Sequence, residues 1–393
     1  MDLLFTLLVL LLILGISIFV HELGHFVAAK LARVPVKEFA IGFGKTLFSK
    51  TYLETNYKIN LIPLGGYVHL EGEHSESTSE NSFRNKPFIT KTFILISGVT
   101  MNLVLAATLL SIYLIANNFK FGLLPKFVDH NFMSVVDQKT ILPLNIVDVL
   151  PNSNADTFLN VGDVIVSINN TFFTSFEEFL NILNQNIDKN ISLGLIDLNT
   201  YEIKNISLFI DSKRIIQEKG ILGVKFSFNN TQLQTPIFLL EYEKSVFSPI
   251  FLTVDLFIYQ IKAMNSIISE ALQTRDFQKA TQSFGGIPAI TDQVNTIVQF
   301  RLFEVILPFV AFINISLAFI NILPIPMLDG GMILIFFIEF LSRKRISDKT
   351  ISIINLIGFI FLMSLVIFIN VKDIIQLGWI ESILNFLKSI FNR

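Results

Sequence analysis

The segment His21-Glu22-Leu23-Gly24-His25 sets two imidazoles four residues apart, with a carboxylate beside the first. On a helix, positions i and i+4 share a face, so both rings can reach one ion. Glu22 then stands where it can take a proton from water and later pass it to a leaving amine. That is the chemistry of a zinc peptidase, whose ion lowers the pKa of water towards about 7 and needs a third protein ligand plus an open position. The competing reading is a pair of interfacial histidines satisfied by backbone carbonyls. The chain has only five histidines, and two of them at this spacing in an apolar helix have no cheap structural explanation.

Cysteine is absent, so a third ligand must be His, Asp or Glu. The longer metzincin pattern would need glycine at position 28 and histidine at position 31, where Ala28 and Leu31 stand. His69, His74 and His130 fall in a hairpin, a polar loop and a segment across the membrane, none at matching depth. Asp329 is the better candidate. It lies in the run Asn-Ile-Leu-Pro-Ile-Pro-Met-Leu-Asp-Gly-Gly at 321–331, where Pro324 and Pro326 break an apolar helix and the glycines allow a tight turn. An acid at that depth is expensive without a cation. The alternative is an Asp capping a helix that starts at Gly330.

The elements that position these groups must sit in lipid. The sequence is 52% hydrophobic and 16% charged, with a mean hydropathy of +0.60; soluble domains carry about a quarter charged residues. A net charge of −2 offers nucleic acid no attraction. Stretches at about 3–28, 93–116, 302–324 and 350–371 can each cross about 30 Å of hydrocarbon. The first lacks the positive n-region and cleavage site of a signal peptide and reads as a retained transmembrane helix. Basic residues gather between the first two spans and again at Arg343, Lys344, Arg345 and Lys349. The positive-inside rule puts both loops in the cytoplasm, and both termini and 117–300 on the far side.

The expected fold is a polytopic α-helical membrane protein of about four transmembrane helices, with a membrane-associated β-hairpin region and an inserted α+β domain. Residues 1–116 form the first part of a membrane core, including a hairpin at 37–70 that is too polar to span but able to dip in as a re-entrant element. The acidic, serine-rich 71–82 reads as a mobile loop. A linker follows at 117–140. Within 141–230, strands are expected at 141–150, 161–170, 191–198 and 201–210 around an amphipathic helix at 173–186. Residues 231–300 read as amphipathic and interfacial, 301–371 as the second part of the core, and 372–393 as a C-terminal amphipathic helix.

The HELGH run in the first span and NILPIPMLDGG in a later one resemble the site-2 protease family of intramembrane zinc metalloproteases, in particular its bacterial RseP-type branch. RVPVKEFAIGFG and PLGGYV resemble that family's cytoplasm-facing membrane hairpin, SFRNKPFITKT the stretch before its second span, and VGDVIVSINN the ligand-facing core of a PDZ domain. The resemblance implies Zn2+ as cofactor, His21, His25 and Asp329 as its ligands, Glu22 as general base, and Asn321 as a holder of the substrate backbone. Gly65 and Gly66 on the hairpin edge and Asn102 in the second span are further candidates for substrate binding. Two elements depart from the family pattern. Gly98-Val99-Thr100-Met101-Asn102 keeps the Asn of a Gly-Pro-x-x-Asn element without its Pro, and Gly285-Gly286-Ile287-Pro288 displaces the Pro of a Gly-Pro-Ile element. One PDZ domain fits where many relatives carry two.

The function so implied is an endopeptidase of the bacterial inner membrane that cuts single-pass membrane proteins within or beside the transmembrane segment, such as anti-sigma factors or signal-peptide remnants. Its partners would be those substrates, the lipid bilayer, and a peptide ligand of a periplasmic PDZ domain, unless that domain only excludes bulky substrates. The alternative is a catalytically inactive membrane tether or chaperone with a peptide-binding PDZ domain. A metal transporter fits less well, since the chain offers only one polar constellation.

Overall fold

A computed structural model describes residues 2–73, 79–197, 202–214, 221–226, 236–276, 281, 284–299 and 305–379. The chain divides into two compact units, Met1–Leu110 with Thr253–Arg393, and Ser111–Leu252.

Helix α1 (Asp2–Leu31) and helix α2 (Phe88–Ala116) are near-continuous apolar runs without an internal proline, so nothing interrupts their backbone ladders. Strands β1 (Val36–Tyr52) and β2 (Thr55–Leu70) join them as an antiparallel hairpin. Residues Glu38 to Ile41 pair both with Asn56 to Ile59 and with Gly66 to His69, so β2 flanks the start of β1 on two sides. Of the expected 71–82 loop, 74–78 lie outside the described residues.

The second unit holds β3 (Lys120–Pro125), β4 (Val135–Ile141), β5 (Leu144–Val149), β6 (Val164–Ile168), β7 (Thr171–Phe172), α3 (Phe176–Asn184), β8 (Asn190–Ile196), β9 (Ile203–Phe209), β10 (Val224–Phe226) and β11 (Ile237–Tyr242). One sheet runs β10-β5-β6-β8-β9, with β7 paired to β6. Ser175 caps helix α3 by accepting from the Glu178 backbone N–H, and Glu178 accepts from the backbone N–H of Thr174, just before the cap. Its buried Phe179 and Leu183 pack with Phe173, Ile165 and Leu193 in the core of this unit. The strands and helix expected within 141–230 are thus present. The expected linker at 117–140 is not a linker, because β3 and β4 pair on either side of β11. Phe121, Leu124, Phe238 and Leu240 are buried in that sheet.

The chain continues through α4 (Ser248–Thr274), α5 (Ile287–Gln299), α6 (Ile306–Ile322), α7 (Asp329–Ser342) and α8 (Asp348–Gln376). Among the described residues, four helices are long and apolar enough to cross a membrane: α1 from Leu4, α2, α4 and α8. Three match expected spans. Of the third expected span, 302–324, the described residues form α6, with 17 residues, about 25 Å of rise. The chain then bends at Pro324 and Pro326 and resumes as α7. Helix α4, in the region expected to lie along the interface, takes the fourth place by length and composition, although it is the least apolar of the set and carries Asp255, Lys262 and Glu270. Residues 380–393 of the expected C-terminal helix lie outside the described residues.

Packing of the first unit sets α1 against α6 and then α7. Leu10 and Ile13 of α1 pack with Ile313 of α6 and Val294 of α5. One half-helix later, Ala28 and Ala29 pack with Ile94 of α2 and Ile335 and Phe336 of α7. Asn314 donates to Ser17 Oγ at 2.9 Å, so this polar interruption of α6 is a helix-to-helix tie rather than part of a site. Helices α6 and α7 therefore follow α1 in the same direction, and the break between them falls beside His21 and His25.

Candidate active site

The break has local causes. Helix α6 ends at Ile322, Pro324 and Pro326 have no N–H to continue it, and Met327 turns with φ +81°, its N–H donated to Asn355 on α8. A side chain at Gly330 or Gly331 would run into the Ile322 and Ile325 carbonyls, so only glycine lets α7 start this close to the bend. Asp329 is the first residue of α7, and the helix N-cap, Leu328, makes no side-chain capping bond. The Asp329 carboxylate turns instead towards α1.

There it meets both imidazoles. Asp329 Oδ2 lies 3.2 Å from His21 Nε2 and 3.5 Å from His25 Nε2, and the two Nε2 atoms are 3.1 Å apart. Ligand distances of about 2.0–2.2 Å on a tetrahedron put neighbouring ligand atoms about 3.3–3.6 Å apart, close to these values. Among the described residues this is the one group of three His, Asp or Glu side chains able to hold a metal ion. His25 Nδ1 lies 2.8 Å from the Ile94 carbonyl, which can only accept, so Nδ1 carries the proton and Nε2 a lone pair. Asp329 Oδ2 is buried without a hydrogen-bond partner. Electron pairs crowded together in this way repel unless a cation lies among them, so the donor set fits zinc.

Helix α2 forms the wall behind the histidines. A Cβ at Gly98 would stand 2.5 Å from His25 Nε2 and 2.7 Å from His21 Cε1, so the rings occupy the space that glycine leaves. A cavity of about 450 Å³ opens on the cluster, lined by Glu22, Asn321, Tyr67 and Asn102 beside the three ligand candidates. The β2 backbone runs alongside Glu22: a Cβ at Gly66 would be 3.6 Å from Glu22 Cγ. Neighbouring Gly65 faces the Phe43 ring. Tyr67 donates to Glu38 at 3.0 Å, and burial with that carboxylate pushes its phenol up. Lys58, 2.6 Å from Glu38, holds the carboxyl below its ordinary range.

Comparison with known proteins gives the family. Residues 9–365 match peptidase family M50. The chain belongs to peptidase family M50. It is a zinc metalloprotease of the site-2 type. Among its relatives, a protein of Clostridium acetobutylicum provisionally named a zinc metalloprotease is 29% identical over 375 residues, covering 94% of this chain and 98% of the relative. A Campylobacter jejuni protein of the same provisional name is 31% identical over 378 residues, covering 92% of this chain and 91% of its own length.

Within this M50 chain, the structure gathers His21, Glu22, His25, Asp329 and Asn321 around one cavity, with Gly66 beside Glu22. Asn102 lines the same cavity, with its amide nitrogen 3.3 Å from Nδ1 of the ligand candidate His21. His69 and His130 take no part in the cluster, and His74 lies outside the described residues. Sequence reasoning missed the Ile94 carbonyl and the role of Gly98, for which the four-residue step Ile94, Gly98, Asn102 was the available signal. It also missed Arg84. This buried guanidinium grips Glu339 with both Nη atoms, at 2.8 and 2.6 Å, and reaches Asp348 at 3.1 Å. Glu339, an acid inside the apolar run of α7, was the signal for that partner.

Proposed function

We propose that this M50 protease cleaves single-pass membrane proteins within or beside the transmembrane segment, with zinc held by His21, His25 and Asp329. The observation that carries the reading is the convergence of those three ligand atoms between apolar helices, beside Glu22 and an extended strand. Bound zinc supplies a Lewis acid that lowers the pKa of water towards about 7. Glu22 takes a proton from water as its oxygen adds to the scissile carbonyl, and gives that proton to the amide nitrogen as the C–N bond breaks. A substrate helix keeps its amides internally bonded, so it must unwind first. Extended pairing along the Gly65–Gly66 edge of β2 would hold the unwound segment, with the Asn321 amide on its backbone.

The membrane assigned is the bacterial inner membrane, with the basic loops in the cytoplasm. Arg84 and Asn85, before α2, reach Glu339, Asp348 and Arg345, which supports one side for both loops. At the opposite end, Thr6 meets Asn295 of α5, and Gly286 donates to Asp373 near the end of α8. Helix α4 is read as interfacial, from the charges Asp255, Lys262 and Glu270 spaced among its apolar residues. The inserted unit is read as a single periplasmic PDZ domain that binds a peptide by β-augmentation or screens bulky substrates.

The test compares wild type with Glu22→Gln in liposomes holding a tagged transmembrane substrate, reading cleavage and zinc content together. Cleavage by wild type alone, with about one zinc per chain in both, is the expected result. Equal cleavage by the variant, or wild type without zinc, overturns the assignment and favours the inactive tether.

A further inference from the structure

We infer that Asn102 is a positioning residue for the metal centre: its side-chain oxygen accepts the Nδ1–H of His21, which leaves His21 Nε2 free for zinc. The inference rests on the metal reading above. Three placements carry it. His21 turns Nε2 towards His25 and Asp329, so its Nδ1 points away from the cluster, at the Asn102 amide. Asn102 is fully buried, with Oδ1 unpartnered in the orientation that sets Nδ2 against His21. In that orientation the amide would donate to Nδ1, and a neutral His21 would carry its proton on Nε2, aimed into the three-ligand cluster. The oxygen and nitrogen of an amide exchange places by a half-turn, and only the hydrogen-bond network distinguishes them. The ligand role of Nε2 decides between them, and it requires the oxygen at His21.

The third placement is on α2 itself. Ile94, Gly98 and Asn102 step along one face at intervals of four, opposite His21 and His25 at the same interval on α1. Two turns of helix thus set both tautomers: the Ile94 carbonyl holds His25 Nδ1–H, Gly98 lets the rings lie against the helix, and Asn102 holds His21 Nδ1–H. Such partners of a ligand's second nitrogen fix ring orientation, and their loss weakens metal binding about 10–100-fold.

The test measures zinc affinity by chelator competition in detergent for wild type, Asn102→Leu and Asn102→Asp, with the melting temperature of each metal-free protein. Asn102→Leu is expected to bind zinc about 10–100-fold more weakly with the metal-free melt unchanged, and Asn102→Asp, which keeps an acceptor, to stay near wild type. Leucine binding zinc as tightly as wild type overturns the inference, as does aspartate losing as much as leucine. Should the leucine variant fail to fold, nitrogen-15 NMR of histidine-labelled, zinc-loaded wild type still decides. His21 must show a protonated Nδ1, and an unprotonated one overturns the inference. Wild type that binds no zinc sinks the metal reading with it, whereas wild type that binds zinc beside an unaffected leucine variant sinks the Asn102 role alone.

Discussion

At the scale of single residues, the site is governed by what each atom can donate or accept. Two imidazoles and a carboxylate crowded into one small space are relieved when their lone pairs point at a cation, and the Ile94 carbonyl favours this for His25 by accepting from its Nδ1–H. The same tightness makes Gly98 sensitive. A methyl group at that position meets His25 Nε2 at 2.5 Å, and the α2 backbone cannot retreat without losing its contacts with α1. Gly98→Ala is expected to lower bound zinc and cleavage at least about tenfold, in line with loss of a ligand's support. Thr100→Ala, an exposed position whose hydroxyl bonds only its own helix at Ile96, is expected to change neither. Metal-to-protein ratios on purified protein check both.

At the scale of elements, the active-site bend is held from outside the site. Asn355 of α8 accepts the Met327 N–H, and Arg84 fastens the end of α7 to the start of α8 through Glu339, Asp348 and the Ile346 carbonyl. The ion pair is buried, with Arg84 and Glu339 side chains 11% and 9% exposed, so removing one partner strands a charge that water cannot reach. Arg84→Met is expected to destabilise the membrane unit by about 3–5 kcal/mol, since Lys91, 4.0 Å from Glu339, is a poor substitute. Adding Glu339→Gln should recover part of that loss, because the two effects share one interaction. Thermal unfolding of the single and double variants in detergent tests the coupling, and additive losses would contradict it.

At the scale of the whole molecule, the absence of cysteine makes sidedness directly measurable. Lys344→Cys and Lys204→Cys place single thiols at exposed positions, one in the second basic loop and one in the inserted unit. With the basic loops cytoplasmic, a membrane-impermeant maleimide applied to intact cells should label the cysteine at 204 and reach the one at 344 only after lysis. Labelling of both from outside would contradict the assigned topology.

The sequence by itself determined the features that depend on near neighbours along the chain. Four-residue spacing sets His21 and His25 on one face, long apolar runs make α1, α2 and α8, two prolines end α6 before Asp329, and alternation and an amphipathic period mark the strands and helix of the inserted unit. These were legible because backbone periodicity and missing N–H groups act within a few residues. Tertiary structure alone decided the rest. Whether Asp329 caps its own helix or faces the histidines depends on α7 lying beside α1, and its partners stand 304 and 308 residues away in the chain. The partner of Arg84 is 255 residues distant, and that of Asn102 is 81. The strands in the supposed linker at 117–140 exist only because β11 arrives from the far end of the insertion to satisfy their backbone groups. Such contacts follow from packing one apolar surface on another, and no local pattern specifies which surface will be met.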